Sequence, residues 1–322
     1  MYPTSGATLR ADINLKVEEA ASADRFFVGH LVMPALGVEA KSGQYPKVKI
    51  AEAELLSAGA TVRERTGSYG EASRQWTNDT YDCVDRGLEE PVDDTDQKDL
   101  ARFFNVEASA ARWCLRNLRL DHEVRVQAAT INTTNYGAAT NSSVAYTEAN
   151  LATIDFPSDA LKAIDRIEDK GHMPNTILIP KAVFTRLSLS AKLQNWIRGT
   201  LRGSVEMPVN AETIAQSFAD HGITQVLIAR ARYNTAKKGQ AYTAAQVWPN
   251  THVWIGYVNP SARTPQDGGS GFTFVWNAEG GLWVSETYRN EQRRSNLVRV
   301  RQHTAEKVTD GTAGTLIATQ YA

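Results

Sequence analysis

Residues 96–129 read DQKDLARFFNVEASAARWCLRNLRLDHEVRVQAA, and the fold turns on them. Phe104, Ala108, Ala111, Leu115, Leu118, His122, Val126 and Ala129 recur at spacings of three and four, which is one narrow apolar stripe on a helix. No Pro or Gly interrupts the run, so the spacing predicts a single helix of 34 residues, about 50 Å long. Asp93, Asp94, Asp96 and Asp99 suit the unpaired N–H groups of a first turn, and Asp96 with Asp99 resembles a capping box. Arg112, Arg116, Arg119 and Arg125 are expected on the wet faces, with Asp121 and Arg125 an i,i+4 pair. A helix this long suits a flat, extended subunit better than a globular one.

Working outward, the segments before the helix change texture twice. Residues 1–35 read as an arm: Phe26 to Val28 and His30 to Met33 are apolar islands broken by Pro34 and Gly37, too small to form a core. Such a segment pads the main body or packs on a neighbouring chain. Residues 38–92 alternate in part, with Gly59, Gly67 and Gly70 between. They read as a long two-stranded excursion leading to the helix, with exposed aromatics at Tyr69, Trp76 and Tyr81. An isolated hairpin is marginal in water, so this one is expected to need support from a partner.

After the helix, residues 131–150 are rich in Asn, Thr and Ala and read as a linker, so 93–150 form one unit with the helix. Residues 156–260 alternate helix and strand as one α/β domain. Ser158 is the expected cap of a helix through Leu161, Ile164 and Ile167 that stops at Gly171. The strand around Ile177 to Ile179 follows, then helices from Pro180 and through Trp196. Next come a helix capped by Asn210, a strand at Val226 to Ala229, a basic loop at 233–240 and a strand at 251–258. In 261–322, strands at 271–276 and 282–288 are expected to form a hairpin through residues 277–281. The strand at 297–303 and the closing strand at 314–318 are expected to return to the long helix.

The totals exclude several functions. The chain of 322 residues is 42% hydrophobic and 22% charged, with no apolar run of membrane-spanning length and no secretory signal at the N-terminus. A formal net charge of -1 argues against a dedicated nucleic-acid binder. Cys83 and Cys114 are the only cysteines, which suits a reducing compartment.

No constellation for catalysis, cofactor binding or metal ligation emerges. His30, His122, His172, His221, His252 and His303 form no metal-ligand spacing; His122 on the stripe reads as a core or interface residue, and His221 as a partner for a helix C-terminus. Gly67 to Gly70 and Gly268 to Gly271 lack the context of a phosphate loop. The pairs Glu89-Glu90 and Asp93-Asp94 read as the solvated mouth of the long helix. Lys47 and Lys49 read as edge-blunting strand lysines, with an isopeptide bond as the sharper alternative. Arg289, Arg293, Arg294, Arg299 and Arg301, interleaved with Glu286 and Glu291, suggest a salt-bridge surface between subunits rather than a DNA groove.

In this order the parts resemble the major capsid proteins of tailed bacteriophages, whose shell fold encapsulins share. Stretches such as PNTILIPKAVFTRL, AQVWPNTHVWIGYVNP and GGLWVSETYRNEQRRSNLVRV have the same look. The resemblance implies an α+β, HK97-like fold with five parts: an arm at 1–35, an extended β loop at about 38–84, a spine helix at 96–129, an axial domain at about 156–260 and returning peripheral strands at 271–322. It implies pentamers and hexamers building an icosahedral shell around double-stranded DNA, in a virion assembled in the bacterial cytoplasm. The implied partners are further copies of the chain, a separate scaffolding protein, a portal and a decoration protein. No enzymatic activity, cofactor or membrane is implied, and no lysine–asparagine pair stands out for crosslinking. Two alternatives are an encapsulin-like nanocompartment shell and a soluble α/β enzyme centred on residues 156–260.

Overall fold

The expected 34-residue helix breaks. A computed structural model describes residues 8–9, 13, 26–48, 63, 65, 67, 76–201, 208–237, 239–279 and 281–321. In it a short helix, Asp94–Leu100, is separated by residues 101–105 from a helix of 25 residues, Val106–Thr130. The cause is Asn105, whose extended backbone lets its side chain accept the Ala108 N–H at 3.0 Å. An Asn that can cap gains more there than in a helix interior, so no Gly or Pro is required for the break. The first helix is capped by Asp93, which accepts the Thr95 N–H at 2.8 Å, and not by Asp96. Phe104 leaves the stripe and is exposed, as is Phe103.

In chain order the elements are β1 (Thr8–Leu9), α1 (Gly29–Val32), β2 (Ala35–Val38), β3 (Ser42–Val48), β4 (Trp76–Asp82), β5 (Val84–Asp93), α2 (Asp94–Leu100) and α3 (Val106–Thr130). There follow α4 (Thr133–Tyr136), β6 (Thr140–Asn141), α5 (Phe156–Glu168), β7 (Thr176–Pro180), α6 (Lys181–Leu189), α7 (Ala191–Leu201), α8 (Ala211–Ser217), β8 (Gln225–Ala229), β9 (Arg232–Asn234), β10 (Ala244–Gln246) and β11 (His252–Gly256). Last come β12 (Phe272–Trp276), β13 (Val284–Asn290), β14 (Ser295–Lys307) and β15 (Gly314–Ala318).

A six-stranded sheet runs β1–β13–β14–β12–β2, with β5 also paired to β14. The 13-residue β14 organises it. It pairs with β13 over residues 295–301, with β12 over 304–307 and with β5 over 295–304. The expected hairpin between residues 271–276 and 282–288 is therefore not formed, because both strands pair with β14 instead. The true hairpin is β13–β14, turned through residues 291–294 with Arg294 at φ 47. The face of this sheet carrying Val298 and Val300 buries against Ala111, Cys114, Leu115 and Leu118 of α3. The stripe is thus real from Ala108 onward, but Arg119 beside it is buried rather than wet.

The second sheet runs β6–β15–β11–β7–β8. One face is covered by α5 to α8 around Phe156, Ile164, Leu187, Ile197 and Phe218. The other carries Leu178, Leu227, Trp254 and Leu316 against Val126 of α3 and Val28 and Val32 of the segment before it. Two expectations change here. Strand β15 pairs with β11, Leu316 opposite Trp254 and Ile317 opposite Val253, so it belongs to the α/β unit rather than to the peripheral strands, although its Leu316 does meet Val126 of the long helix. Leu316 and Ile317 are buried on opposite faces, which suits a strand inside a sheet covered on both sides. The α5 cap is Asp155, accepting the Ser158 N–H at 3.2 Å; Ser158 supplies the donor, not the cap. Two short strands, β9 and β10, form a hairpin where only a basic loop was expected.

Residues 26–33 of the arm pad the main body: Phe27, Val28, Val32 and Met33 are all buried. The excursion is a two-stranded antiparallel ladder, β3 with β4, from Ser42↔Asp82 to Val48↔Trp76. Lys49, Gly59, Tyr69 and Gly70, from the segment between the two strands, lie outside the described residues.

Candidate assembly surfaces

Three parts of the chain meet at one buried carboxylate. Glu123 on α3 accepts the Val28 N–H at 3.1 Å, the Gly29 N–H at 2.6 Å and the Trp248 indole N–H at 2.6 Å. Burial pushes its pKa up, while the three donors and Arg119 pull the other way. Position 29 must stay small, since a Cβ there would lie 2.7 Å from Glu123 Oε2. The Arg119 guanidinium sits over the Phe27 ring at 5.1 Å.

Its neighbour His122 points into the first sheet. His122 Nε2 is 3.1 Å from Thr273 Oγ1, and Thr273 donates its proton to the Met33 carbonyl at 3.0 Å. Thr273 therefore accepts from the imidazole, which places the proton on Nε2. Burial pushes the His122 pKa down to about 4 despite the nearby Glu306, so the ring is neutral. Arg125 holds Glu306 with two bonds, Nε to Oε2 at 2.9 Å and Nη2 to Oε1 at 3.0 Å. Burial works against the Glu306 charge, yet the Arg125 hydrogen bonds leave its pKa lowered. Adjacent residues of one helix thus tie it to both sheets and to the arm.

The basic density of the returning strands is spent within the chain. Glu286, Arg299 and Glu89 stand in one cross-strand row on β13, β14 and β5. Arg299 Nη2 lies 3.2 Å from Glu89, and Arg301 Nη2 lies 2.8 Å from Glu286. Tyr288 donates to Glu89 at 2.8 Å beneath the Arg299 guanidinium, 4.9 Å from its ring. Arg289 grips Asp94 with two bonds, and its hydrogen bonds hold the Asp94 carboxyl below the usual range. Within the chain these residues form a ladder that fixes β5 and α2 to the sheet. Arg289, Arg293 and Arg294 of that set are exposed, the last two at the turn. Glu89, Asp93 and Asp94 thereby have structural roles as pair, cap and pair.

Tyr81, expected to be exposed, stacks on Phe274 of β12 at 4.8 Å; Tyr45 lies 5.3 Å from the same ring. Burial also raises the Cys83 thiol to about 11, an unreactive group beneath the ladder. The root of the excursion is therefore held by its own chain. Lys47 sits on β3 opposite Thr77, with no ion-pair partner among the described residues. His172 pairs with Asp310 at 3.2 Å, and His303 lies 3.5 Å from Asp85. Among the described residues no group of three or more His, Cys, Asp or Glu is arranged to hold a metal ion.

Two large aromatics stand exposed at and just before the start of α3. Trp113 is 61% exposed and Phe103, just before the helix, 69%. Val84 and Leu88 are exposed on β5, which pairs on one side only among the described residues. Sequence spacing gave no signal for these positions, since each sits in a segment that is otherwise well folded. No helix of the described residues is long and apolar enough to cross a membrane.

No protein-family model matches the chain, and no curated protein matches it. Solved structures do. A phage-related protein from Bordetella bronchiseptica is 18% identical with a TM-score of 0.70, covering 98% of both chains. The capsid structure of a cyanophage is similar over 90% of this chain and 86% of the other, at 10% identity and a TM-score of 0.57. A virus-like particle protein from Pyrococcus furiosus is similar over 96% of both, at 9% identity and a TM-score of 0.51. The chain has the capsid-shell fold.

Proposed function

We propose that this chain is a shell subunit of the tailed-phage type, a major capsid protein that assembles as pentamers and hexamers into an icosahedral shell around double-stranded DNA. The observation that carries the reading is the likeness of fold to capsid-shell structures over nearly the whole chain. In this reading α3 is the spine and β3–β4 the root of the extended loop. The six-stranded sheet is the peripheral domain, and α5–α8 with the five-stranded sheet form the axial domain. A closed shell requires each subunit to meet successive neighbours through unlike surfaces, which suits the exposed Trp113 and Phe103. The inner surface meets DNA without sequence readout. A separate scaffolding protein and a portal belong to the same reading, with a decoration protein as an optional addition. The particle would be a virion assembled in the host bacterial cytoplasm. The reading assigns the chain no catalysis and no cofactor.

A second reading, a nanocompartment shell, is favoured by the likeness to the Pyrococcus furiosus virus-like particle. It differs in contents rather than in assembly.

Electron microscopy of the chain, expressed alone and with any scaffolding protein encoded beside it, tests both. Closed shells or rings of five and six are the expected result, and the contents of native particles choose between DNA and protein cargo. A small homogeneous oligomer under both conditions would overturn both readings and direct attention to residues 156–260 for a pocket.

A further inference from the structure

Charge is distributed very unevenly along this chain. Residues 170–266 hold eleven lysines and arginines against three carboxylates, and residues 221–266 hold no carboxylate at all. The projecting part of this stretch is the β9–β10 hairpin, where Arg230, Arg232 and Lys237 are all exposed. None of the three has an ion-pair partner among the described residues, unlike the paired Arg289, Arg299 and Arg301. The hairpin follows directly on β8, which is the terminal strand of its sheet.

The opposite edge of that sheet is β6, and over it lies the C-terminal turn of α5, fastened by Arg166 to the Ala138 carbonyl and Thr140. This turn exposes Asp165, Glu168 and Asp169. They too lack ion-pair partners among the described residues. One unit therefore presents unspent positive charge beyond one sheet edge and unspent negative charge at the other. Facing surfaces of opposite sign on one subunit are what a head-to-tail contact around a rotation axis uses.

We propose that the β9–β10 hairpin of one copy docks on the acidic end of α5 in the next, so that rings of this chain close through Arg230, Arg232 and Lys237 against Asp165, Glu168 and Asp169. The inference rests on the shell reading above and names the contact within it. The pairs are solvent-exposed and screened by salt, so the contact sets orientation and register and weakens as ionic strength rises.

Three full-length variants test it: R230E/R232E/K237E, D165K/E168K/D169K, and the six-fold combination that exchanges the signs. Each is checked for folding by circular dichroism and thermal melting, and its assembled fraction is read by light scattering and electron microscopy at low salt. Each triple variant should lose about tenfold in assembled fraction, and the combined variant should regain most of it. Recovery in the combination also removes misfolding as an explanation. Triple variants that assemble as the unaltered chain does, or a combination that stays unassembled while folded, overturn the contact and leave the shell reading intact. An unaltered chain that never assembles overturns the shell reading and the contact with it. Normal assembly with reduced nucleic-acid content in the hairpin variant would also overturn the contact, and would assign the hairpin to nucleic acid.

Discussion

Trp248 donates its indole N–H to Glu123 at 2.6 Å across 125 residues of chain. The bond joins the loop before β11 to the middle of α3, and the same carboxylate holds the backbone at Val28 and Gly29. Three donors converge on one acceptor group that is 1% exposed, so its charge is matched locally.

Replacing Glu123 by Gln should therefore cost more than its small change in shape suggests. The amide turns one acceptor into a donor facing N–H groups, leaving at least one of them unpaired at about 1–3 kcal/mol. Chemical denaturation measures the loss, and hydrogen exchange should accelerate first at Val28 and Gly29. Unchanged exchange there would show that the carboxylate does not hold the arm.

His122 makes stability depend on acid. Its folded pKa is about 4 against an ordinary value of 6.5, so the unfolded chain binds the extra proton between those values. Stability from this group is complete above pH 6.5 and falls as pH drops towards 4, by roughly 2–4 kcal/mol in all. Glu123, with its raised pKa, acts in the opposite sense as it protonates and offsets part of the loss. The His122→Asn variant should show a flatter stability curve between pH 6.5 and 4. A curve parallel to that of the unaltered chain would refute this assignment.

Two arginine pairs should behave very differently. Arg125→Met strands Glu306, whose side chain is 5% exposed, and should cost about 3–5 kcal/mol. Arg299→Met at the exposed Glu89 should cost under about 1 kcal/mol. Thermal or urea unfolding of both variants decides it; equal losses would mean the ladder matters as much as the buried pair.

Asn105→Ala should remove the α3 cap and destabilise by about 1 kcal/mol, while Asn105→Asp should retain the cap. Thermal melting separates the two. An alanine variant at least as stable as the original would mean that the break at residues 101–105 is held by something other than this cap.

Local features were readable in the sequence and pairings were not. The stripe from Ala108 to Val126, the Asn210 cap and the strands at β7, β8 and β11 follow from spacing and end signals, which act over a few residues. The break at Asn105 escaped because a capping side chain competes with helix continuation without any Gly or Pro. Strand partners escaped because β12 and β13 are adjacent in sequence, yet both find more ladder on β14. The arginines of the returning strands could not be assigned until the row Glu286, Arg299 and Glu89 was in register. Glu123 resembled any charged residue of a surface helix. The available signal was Arg119, four residues earlier on the same side of the stripe, since two opposite charges flanking Leu118 and His122 are well placed to be buried together.

The place of β15 has a consequence for synthesis. The backbone of β11 finds its second ladder partner only when residues 314–318 add their strand, because β15 lies between β11 and β6. The α/β unit is consequently not a contiguous, excisable piece: residues 156–260 produced alone would leave β11 as an open, apolar edge. On the ribosome the same sheet stays incomplete until its last strand emerges, so the nascent chain cannot offer a finished surface to its neighbours before translation has passed Ala318.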